Sequence, residues 1–136
     1  MASKLTDADY LALADFRYSL RQFLAFSEGE AAQCGLTPQQ HQALLVIRAA
    51  LPGTATIGHV AERLILKPHS ATGLVNRMEG LGLVRREPSP RDKRQAVLSL
   101  TPGALQILET LSATHREEIR RLLPVVTRLL ESLEVA

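Results

Sequence analysis

The basic residues of this chain are concentrated in one segment, and their side chains are of the kind that binds a polyanion. Residues 63–94 contain eight Lys or Arg and three Asp or Glu, a net charge of +5. Because the whole chain carries +2, the remainder carries −3. A concentration of this kind indicates a nucleic-acid-binding surface, whereas most charge runs are simply solvated. The basic residues are Arg63, Lys67, Arg77, Arg85, Arg86, Arg91, Lys93 and Arg94.

One predicted helix in this segment has a polar face that suits DNA bases. Helical spacing over about 69–81 gives an apolar side, and the other side carries hydroxyls, an amide and a guanidinium. Gly73 costs on the order of 1 kcal/mol there, which indicates either a loosely packed surface or a close approach of the backbone to DNA. An ordinary amphipathic surface helix would look the same in isolation. The candidate DNA-contacting residues are Lys67, His69, Ser70, Thr72, Gly73, Asn76 and Arg77.

A basic hairpin follows this helix. The runs 83–87 and 95–100 have the composition of strands, and the polar loop between them contains Pro88 and Pro90. A hairpin tip of this length can reach the groove or the phosphates beside an inserted helix. For Arg91 and Lys93, solvation at a loop tip is an equally good interpretation. The candidate contacts from the hairpin are Arg86, Arg91, Asp92, Lys93 and Arg94.

The elements that position these side chains can be predicted from helix periodicity and caps. A long helix over 5–33 precedes a second helix that begins at Thr37 with a capping box closed by Gln40. A third begins at Thr56 and braces the helix at 69–81, which Gly82 ends. Another helix begins at Thr101, and Pro124 either kinks it or restarts it as a final helix. The predicted fold is mainly α, a winged helix-turn-helix with a two-stranded antiparallel wing.

Apolar stripes give the expected inward faces of these helices. We expect Leu24 to point inward from the first helix, Leu45 and Leu51 from the second, and Leu81 from the helix at 69–81. All five aromatic residues lie within the first helix, which indicates an interface as well as a core contact.

Several classes of protein are disfavoured by composition. No run is long enough to span a membrane, and the early acidic residues argue against a signal peptide, so we expect a cytoplasmic protein. Cys34 is the single cysteine, which excludes an internal disulfide. The four histidines lack metal-ligand spacing, and no nucleophile–base pair or paired carboxylate is recognisable. We therefore expect no enzyme activity, no cofactor and no metal.

The runs GLVRR at 82–86, PRDKR at 90–94 and LSLTPG at 98–103, with GLT at 35–37, resemble the MarR family of bacterial transcriptional regulators. The resemblance covers nearly the whole chain in element order. It implies a homodimer, with a winged-helix lobe at 36–100 and a dimerisation layer formed by 1–35 and 101–136. It also implies that Asp92 orders the wing through basic partners and that Arg94 reaches the minor groove or its phosphates.

The function implied is that of a sequence-specific double-stranded DNA-binding regulator, a repressor released by a small aromatic or phenolic effector. Two recognition helices would enter successive major grooves of a pseudo-palindromic operator, roughly 34 Å apart. In the family, effectors usually bind between the dimer layer and the DNA-binding lobe. The candidate lining residues are Phe16, Arg17, Leu20, His41, Leu45 and His59.

Two alternatives remain at this point. The first is a winged-helix protein-interaction module that does not bind DNA. The second is a regulator that senses oxidation through Cys34. A sensing thiol needs exposure and a lowered pKa, but Cys34 lies at a predicted helix C-terminus, where the helix dipole disfavours a thiolate.

Overall fold

The computed structural model describes residues 4–134, which contain six helices and two strands. Pro124 lies inside the last helix, so the final segment restarts as a helix of its own. Residues 1–3 and 135–136 of the predicted dimerisation layer lie outside the described part. In chain order the elements are α1 (Asp7–Gln33), α2 (Pro38–Ala49), α3 (Ile57–Leu64), α4 (Pro68–Gly80), β1 (Val84–Pro88), β2 (Ala96–Leu100), α5 (Pro102–Arg120) and α6 (Leu123–Glu134).

The chain divides into two compact units. One consists of Ala31–Leu111, and the other of the residues before and after it. The first unit extends beyond the predicted lobe 36–100 because Ala31 and Ala104 belong to the same buried core as α2, α3 and α4. That core contains Leu44, Ile47, Val60, Leu74, Val75, Met78, Leu83, Val84, Leu98, Leu108 and Leu111.

Local capping sets the limits of the helices in this unit. The Thr37 side chain accepts from Gln40 N at 3.1 Å, while the Gln40 side chain accepts from Thr37 N at 3.0 Å, which confirms the predicted capping box. Thr56 caps α3 in the predicted way, accepting from His59 N at 3.1 Å. β1 and β2 pair antiparallel, from Val84 opposite Leu100 to Pro88 opposite Ala96.

The ends of α1 and α4 share one backbone device. At each end a glycine has a positive φ, 77° at Gly35 and 73° at Gly82. The next residue donates its N–H to a carbonyl five residues back, Leu36 to Ala31 at 2.9 Å and Leu83 to Met78 at 2.9 Å. This Schellman arrangement turns the chain and places both leucines in the core. It gives a physical reason for the Gly-Leu pairs in the sequence.

α3 ends with the same hydrogen bonds but without a glycine. Leu66 N donates to Ala61 O at 2.9 Å, and the left-handed position is occupied by Ile65, with φ 55°. A β-branched residue is strained in this region, and the Ile65 side chain gains no burial in return because it is 92% exposed. The strain lies in the turn that joins α3 to α4.

The second unit is formed by the first part of α1, the last part of α5, and α6. Thr6 caps α1 by accepting from Asp9 N at 3.2 Å, and the Asp9 side chain closes the capping box by accepting from Thr6 N at 2.9 Å. Asp9 also accepts from Ser132 Oγ of α6 at 2.6 Å. These hydrogen bonds, Ser132 first, hold the pKa of Asp9 below its ordinary value. His115 lies 2.8 Å from Ser27 Oγ and makes edge contacts with two α1 aromatic rings, those of Phe23 and Phe26.

Four leucines that we expected to point inward are exposed, so that prediction was wrong for Leu24, Leu45, Leu51 and Leu81. The apolar stripes of these helices are wider than the faces that the neighbouring elements bury. On α4, Leu81 follows the last helical residue, and Leu83 takes the next core position after the glycine turn. On α2, Leu44 fills the core, which leaves its neighbour Leu45 about 100° away on the helix surface.

Relief of the strain at Ile65 is expected to stabilise the protein. Ile65→Asn should raise the free energy of unfolding by about 1 kcal/mol, because asparagine tolerates the left-handed conformation and little buried area is lost. Urea unfolding measures the effect. Leu51→Asn, at an exposed position without a positive φ, is the matched control and should change stability by less than about 0.5 kcal/mol. A destabilised Ile65→Asn protein would contradict the strain argument.

Candidate nucleic-acid interface

α4 separates an apolar face from a polar one. Ala71, Leu74, Val75 and Met78 are buried within unit Ala31–Leu111, where α4 packs against α3 and β1. Pro68 occupies the first turn, and Lys67 at the N-cap makes no side-chain cap hydrogen bond. Because Pro68 has no N–H and Ala71 N donates to Lys67 O, the first-turn N–H groups open to an acceptor from outside the helix are those of His69 and Ser70.

The candidate residues on α4 lie on its exposed side. Thr72 uses its hydroxyl proton internally, donating to Pro68 O at 3.1 Å, which leaves its oxygen lone pairs available. A Cβ at Gly73 would lie 3.4 Å from Arg77 Nη1, which is ordinary van der Waals contact, so the Arg77 guanidinium alone does not require a glycine here. The exposed members are Lys67, His69, Ser70, Thr72, Asn76 and Arg77, and Gly73 is half-buried.

Backbone hydrogen bonds close the loop of the hairpin. Ser89 is buried, and its Oγ accepts from Arg91 N at 3.2 Å and from Asp92 N at 3.3 Å. Ser89 N donates to Gln95 O at 3.0 Å, and Gln95 N donates to Asp92 O at 3.0 Å. Sequence reasoning missed Ser89, although a serine that directly follows a strand and precedes a polar loop is a common turn residue.

The acid at the tip of the hairpin organises one of its arginines. Asp92 Oδ1 accepts from Arg94 N at 3.0 Å and from Arg94 Nε at 3.3 Å. The Arg94 side chain is nevertheless 92% exposed. Arg91 and Lys93 are exposed beside it, so the tip carries three cations around one carboxylate.

Arg86 joins the hairpin to α4. Its Nη2 donates to Asn76 Oδ1, and its Nε lies 3.4 Å from Glu79 Oε1. The Arg86 side chain is 28% exposed, far less than that of Arg94. The sequence put Arg86 and Asn76 forward as separate DNA contacts, whereas the structure pairs them with each other. It also adds Glu79, whose position three residues after Asn76 places it on the same side of the helix.

The candidate effector residues fall into separate groups. Leu45 and His59 line an open apolar groove between α2 and α3, of about 760 Å³, together with Val46, Ala49, Ala50, Leu51, Thr54 and Arg63. His41 is buried on α2 and does not line this groove. Phe16, Arg17 and Leu20 lie on α1 in the other compact unit.

Within residues 4–134, no helix is both long and apolar enough to cross a membrane. The described residues also contain no group of three or more His, Cys, Asp or Glu arranged to hold a metal ion. Cys34 directly follows α1 and is half-buried against the core.

Comparison with known proteins decides the family. A model of the MarR family matches residues 35–95, which include α2 to α4, β1 and the loop of the hairpin. The HTH-type transcriptional repressor MdtR of Bacillus subtilis (strain 168) is 30% identical over 115 residues, 79% of this chain and 71% of MdtR. This chain belongs to the MarR family.

Other MarR-type relatives are matched over shorter stretches. The uncharacterized HTH-type transcriptional regulator YfiV of Bacillus subtilis (strain 168) is 30% identical over 95 residues, 59% of either protein. The transcriptional activatory protein BadR of Rhodopseudomonas palustris is 32% identical over 79 residues, 57% of this chain and 45% of BadR. The chain thus spans about three fifths or less of the length of these two relatives. All three relatives are named as transcriptional regulators, and none as an enzyme.

Solved MarR-family structures have the same fold. AbsC of Streptomyces coelicolor gives a TM-score of 0.70 at 23% identity, with 88% of this chain and 81% of AbsC covered. The S. aureus MepR–DNA complex gives 0.69 at 20% identity, with 89% of this chain and 85% of MepR covered. The predicted winged-helix fold is therefore confirmed.

Proposed function

We propose that this chain is a sequence-specific double-stranded DNA-binding transcriptional regulator, with α4 as the recognition helix and the β1–β2 hairpin as the wing. The observation that carries the proposal is that one compact unit holds both the exposed polar face of α4 and the cationic hairpin tip. An α-helix fits the major groove, where base edges distinguish all four base pairs. Membership of a family of transcriptional regulators and the DNA-bound state of MepR support the same proposal.

The wing contributes affinity rather than sequence selection. Arg94 projects from the tip, and its backbone N–H and Nε are oriented by Asp92. A pre-ordered guanidinium loses less conformational freedom on binding a phosphate than a free one does. The other exposed cations, Arg91 and Lys93, add positive potential at the same place. Asp92 thus serves the wing by fixing its geometry, at the cost of one negative charge.

The active form is proposed to be a homodimer joined through α1, α5 and α6. In the described part of the compact unit that lies outside Ala31–Leu111, Leu129 is the single buried apolar side chain. Helices with so small a core are marginal alone, and an exposed apolar surface of this kind marks an interface. A second copy covers such a surface by two-fold symmetry and supplies the second recognition helix. The exposed apolar residues are Leu5, Tyr10, Leu11, Tyr18, Leu24, Ile119, Leu123, Leu130 and Leu133.

We propose repression as the regulatory outcome, with release by a small molecule. MdtR, a repressor, is matched over a larger share of its length than BadR, an activator. A dimer bound across a promoter blocks polymerase. An effector lowers DNA affinity if it binds more tightly to a dimer whose recognition helices do not fit successive major grooves. Binding then shifts the population of dimers towards this form, which cannot bind the operator. The apolar groove lined by Leu45 and His59 is a candidate binding site for such a molecule.

Loss of Arg94 is expected to weaken DNA binding without changing sequence preference. Arg94→Ala should reduce affinity by about a hundredfold, and the slope of log affinity against log salt should become shallower by about two, because the homodimer loses one phosphate contact in each protomer. Binding of a duplex selected from a random library, titrated at several salt concentrations, measures both quantities.

Arg48→Ala is the control for this experiment, since Arg48 is exposed on α2 of the same unit but lies outside the proposed interface. It should leave the slope unchanged. An equal loss of DNA affinity in Arg94→Ala and Arg48→Ala would show that net charge alone is responsible. Wild-type protein that does not bind duplex DNA at low salt would overturn the proposed function.

Charges placed on the exposed α6 leucines are expected to separate the dimer. The variant Leu123→Glu/Leu130→Glu should sediment as a 14.9 kDa monomer, whereas wild type should have twice that mass, because buried carboxylates at an apolar interface are costly. Arg128→Glu is the matched control, since residue 128 lies about 140° around the helix from residue 123. Sedimentation equilibrium at micromolar concentration provides the masses, and a monomeric wild type would contradict the dimer.

A further inference from the structure

The pairing of Arg86 with Asn76 limits what Asn76 is able to recognise. The Arg86 guanidinium has only N–H donors, so the Asn76 atom that faces it is the carboxamide oxygen. The charged Arg86 donor takes one of the two lone pairs of Oδ1, which polarises the carboxamide, weakens Oδ1 as a second acceptor and strengthens the N–H groups of Nδ2 as donors. Asn76 lies on the exposed side of α4, between Thr72 and Gly80 on one helical stripe, where a side chain is placed to meet a base edge.

Glu79 keeps Arg86 in this position. Its Oε1 lies 3.4 Å from Arg86 Nε, and the Nε atom is buried without a hydrogen-bond partner among the described residues. The ion pair therefore holds the guanidinium by charge against the side of α4. Moving Arg86 outward to a phosphate would break both the Asn76 hydrogen bond and the attraction to Glu79. Arg94 is also paired with a carboxylate, Asp92 Oδ1 at 3.3 Å, but its side chain is 92% exposed, so its guanidinium can meet a phosphate without leaving that pair.

We propose that Arg86 is a specificity-determining positioning residue that makes Asn76 read bases mainly as a donor. Asparagine recognises adenine through two simultaneous hydrogen bonds, one to N7 and one from N6, and the second uses Oδ1 as an acceptor. Because Oδ1 already accepts from Arg86, Asn76 favours an edge that presents acceptors, N7 and O6 of guanine or O4 of thymine, over adenine. This inference rests on the proposed function, since it assumes that α4 enters the major groove.

The position of Arg86 in the wing gives this arrangement a second consequence. Arg86 lies on β1 opposite Leu98, so the strand that carries the wing also sets the orientation of a base-reading side chain on α4. Base readout by Asn76 and contact of the wing with the DNA backbone are thus coupled through the Arg86 guanidinium. Such functions are usually carried by separate residues. Arg85, the neighbour of Arg86 on β1, is exposed and points to the opposite face of the hairpin.

The test is selection of bound sequences from a random duplex library by wild type and by variants. Wild type should select guanine or thymine at the base that Asn76 contacts, which is identified as the position where Asn76→Ala loses preference. Arg86→Met should shift this position towards adenine by at least threefold in relative frequency, and its salt slope should stay within about 0.3 of wild type. Glu79→Gln should give a smaller shift in the same direction, and Arg86→Lys should partly retain the wild-type preference.

Arg85→Met is the matched control, since it removes the same charge from the adjacent strand position. It should leave the selected base unchanged. Thermal unfolding of each variant separates a loss of fold from a change in readout, and Glu79→Gln supplies the test if Arg86→Met does not fold. Selection of adenine by wild type, an unchanged preference in Arg86→Met, or a salt slope that becomes shallower by about two in Arg86→Met would overturn the inference. Wild-type protein that binds no duplex would instead overturn the proposed function.

Discussion

Burial of one side of α4 constrains everything that the other side can present. Ala71, Leu74, Val75 and Met78 are almost completely removed from solvent, and burial of a large apolar side chain is worth about 1.5–3 kcal/mol. A rotation of α4 by one residue, about 100°, would expose this set and bury the amide of Asn76. The apolar face therefore fixes the orientation of the polar face, and it does so through packing alone.

The ends of α4 are held by different means. At its C-terminus, Gly82 turns the chain and Leu83 returns to the core, so the hairpin leaves the helix in one direction. Thr101 strengthens this exit, donating from its hydroxyl to Gly82 O at 2.7 Å and from its N–H to Leu83 O at 3.1 Å. At the N-terminus, the turn depends on strained Ile65. The Arg86 contacts then fasten the hairpin to the exposed side of the helix.

The sequence predicts the elements well where local chemistry decides them. Caps at Thr37 and Thr56 and the glycine at Gly82 could be identified because each acts within four residues of its own position. Exposure was harder to predict, as Leu45 shows, because helical periodicity gives the direction of a stripe but not how wide a face the neighbouring elements cover.

The candidate site was predictable as a set of residues but not as a set of contacts. Polar residue types on α4 and cations at 91–94 could be read directly from the sequence. The pairing of Arg86 with Asn76, ten positions apart, depends on how β1 packs against α4, and no spacing rule connects a strand residue to a helix residue. For the same reason, the sequence did not predict that Glu79 would pair with Arg86. The left-handed conformation of Ile65 could not be predicted either, because that conformation favours glycine and disfavours a β-branched residue.

Backbone hydrogen exchange of wild-type protein, with and without a library-selected duplex, is the most direct test that α4 and the wing together form the DNA-binding surface. The account predicts slower exchange on binding for the first-turn amides of α4, at 69–71, and for the loop amides at 89 and 91–95. It also predicts no change in the α2 amides at 39–49. Slower exchange confined to other segments, with the α4 and loop amides unaffected by bound DNA, would contradict the account.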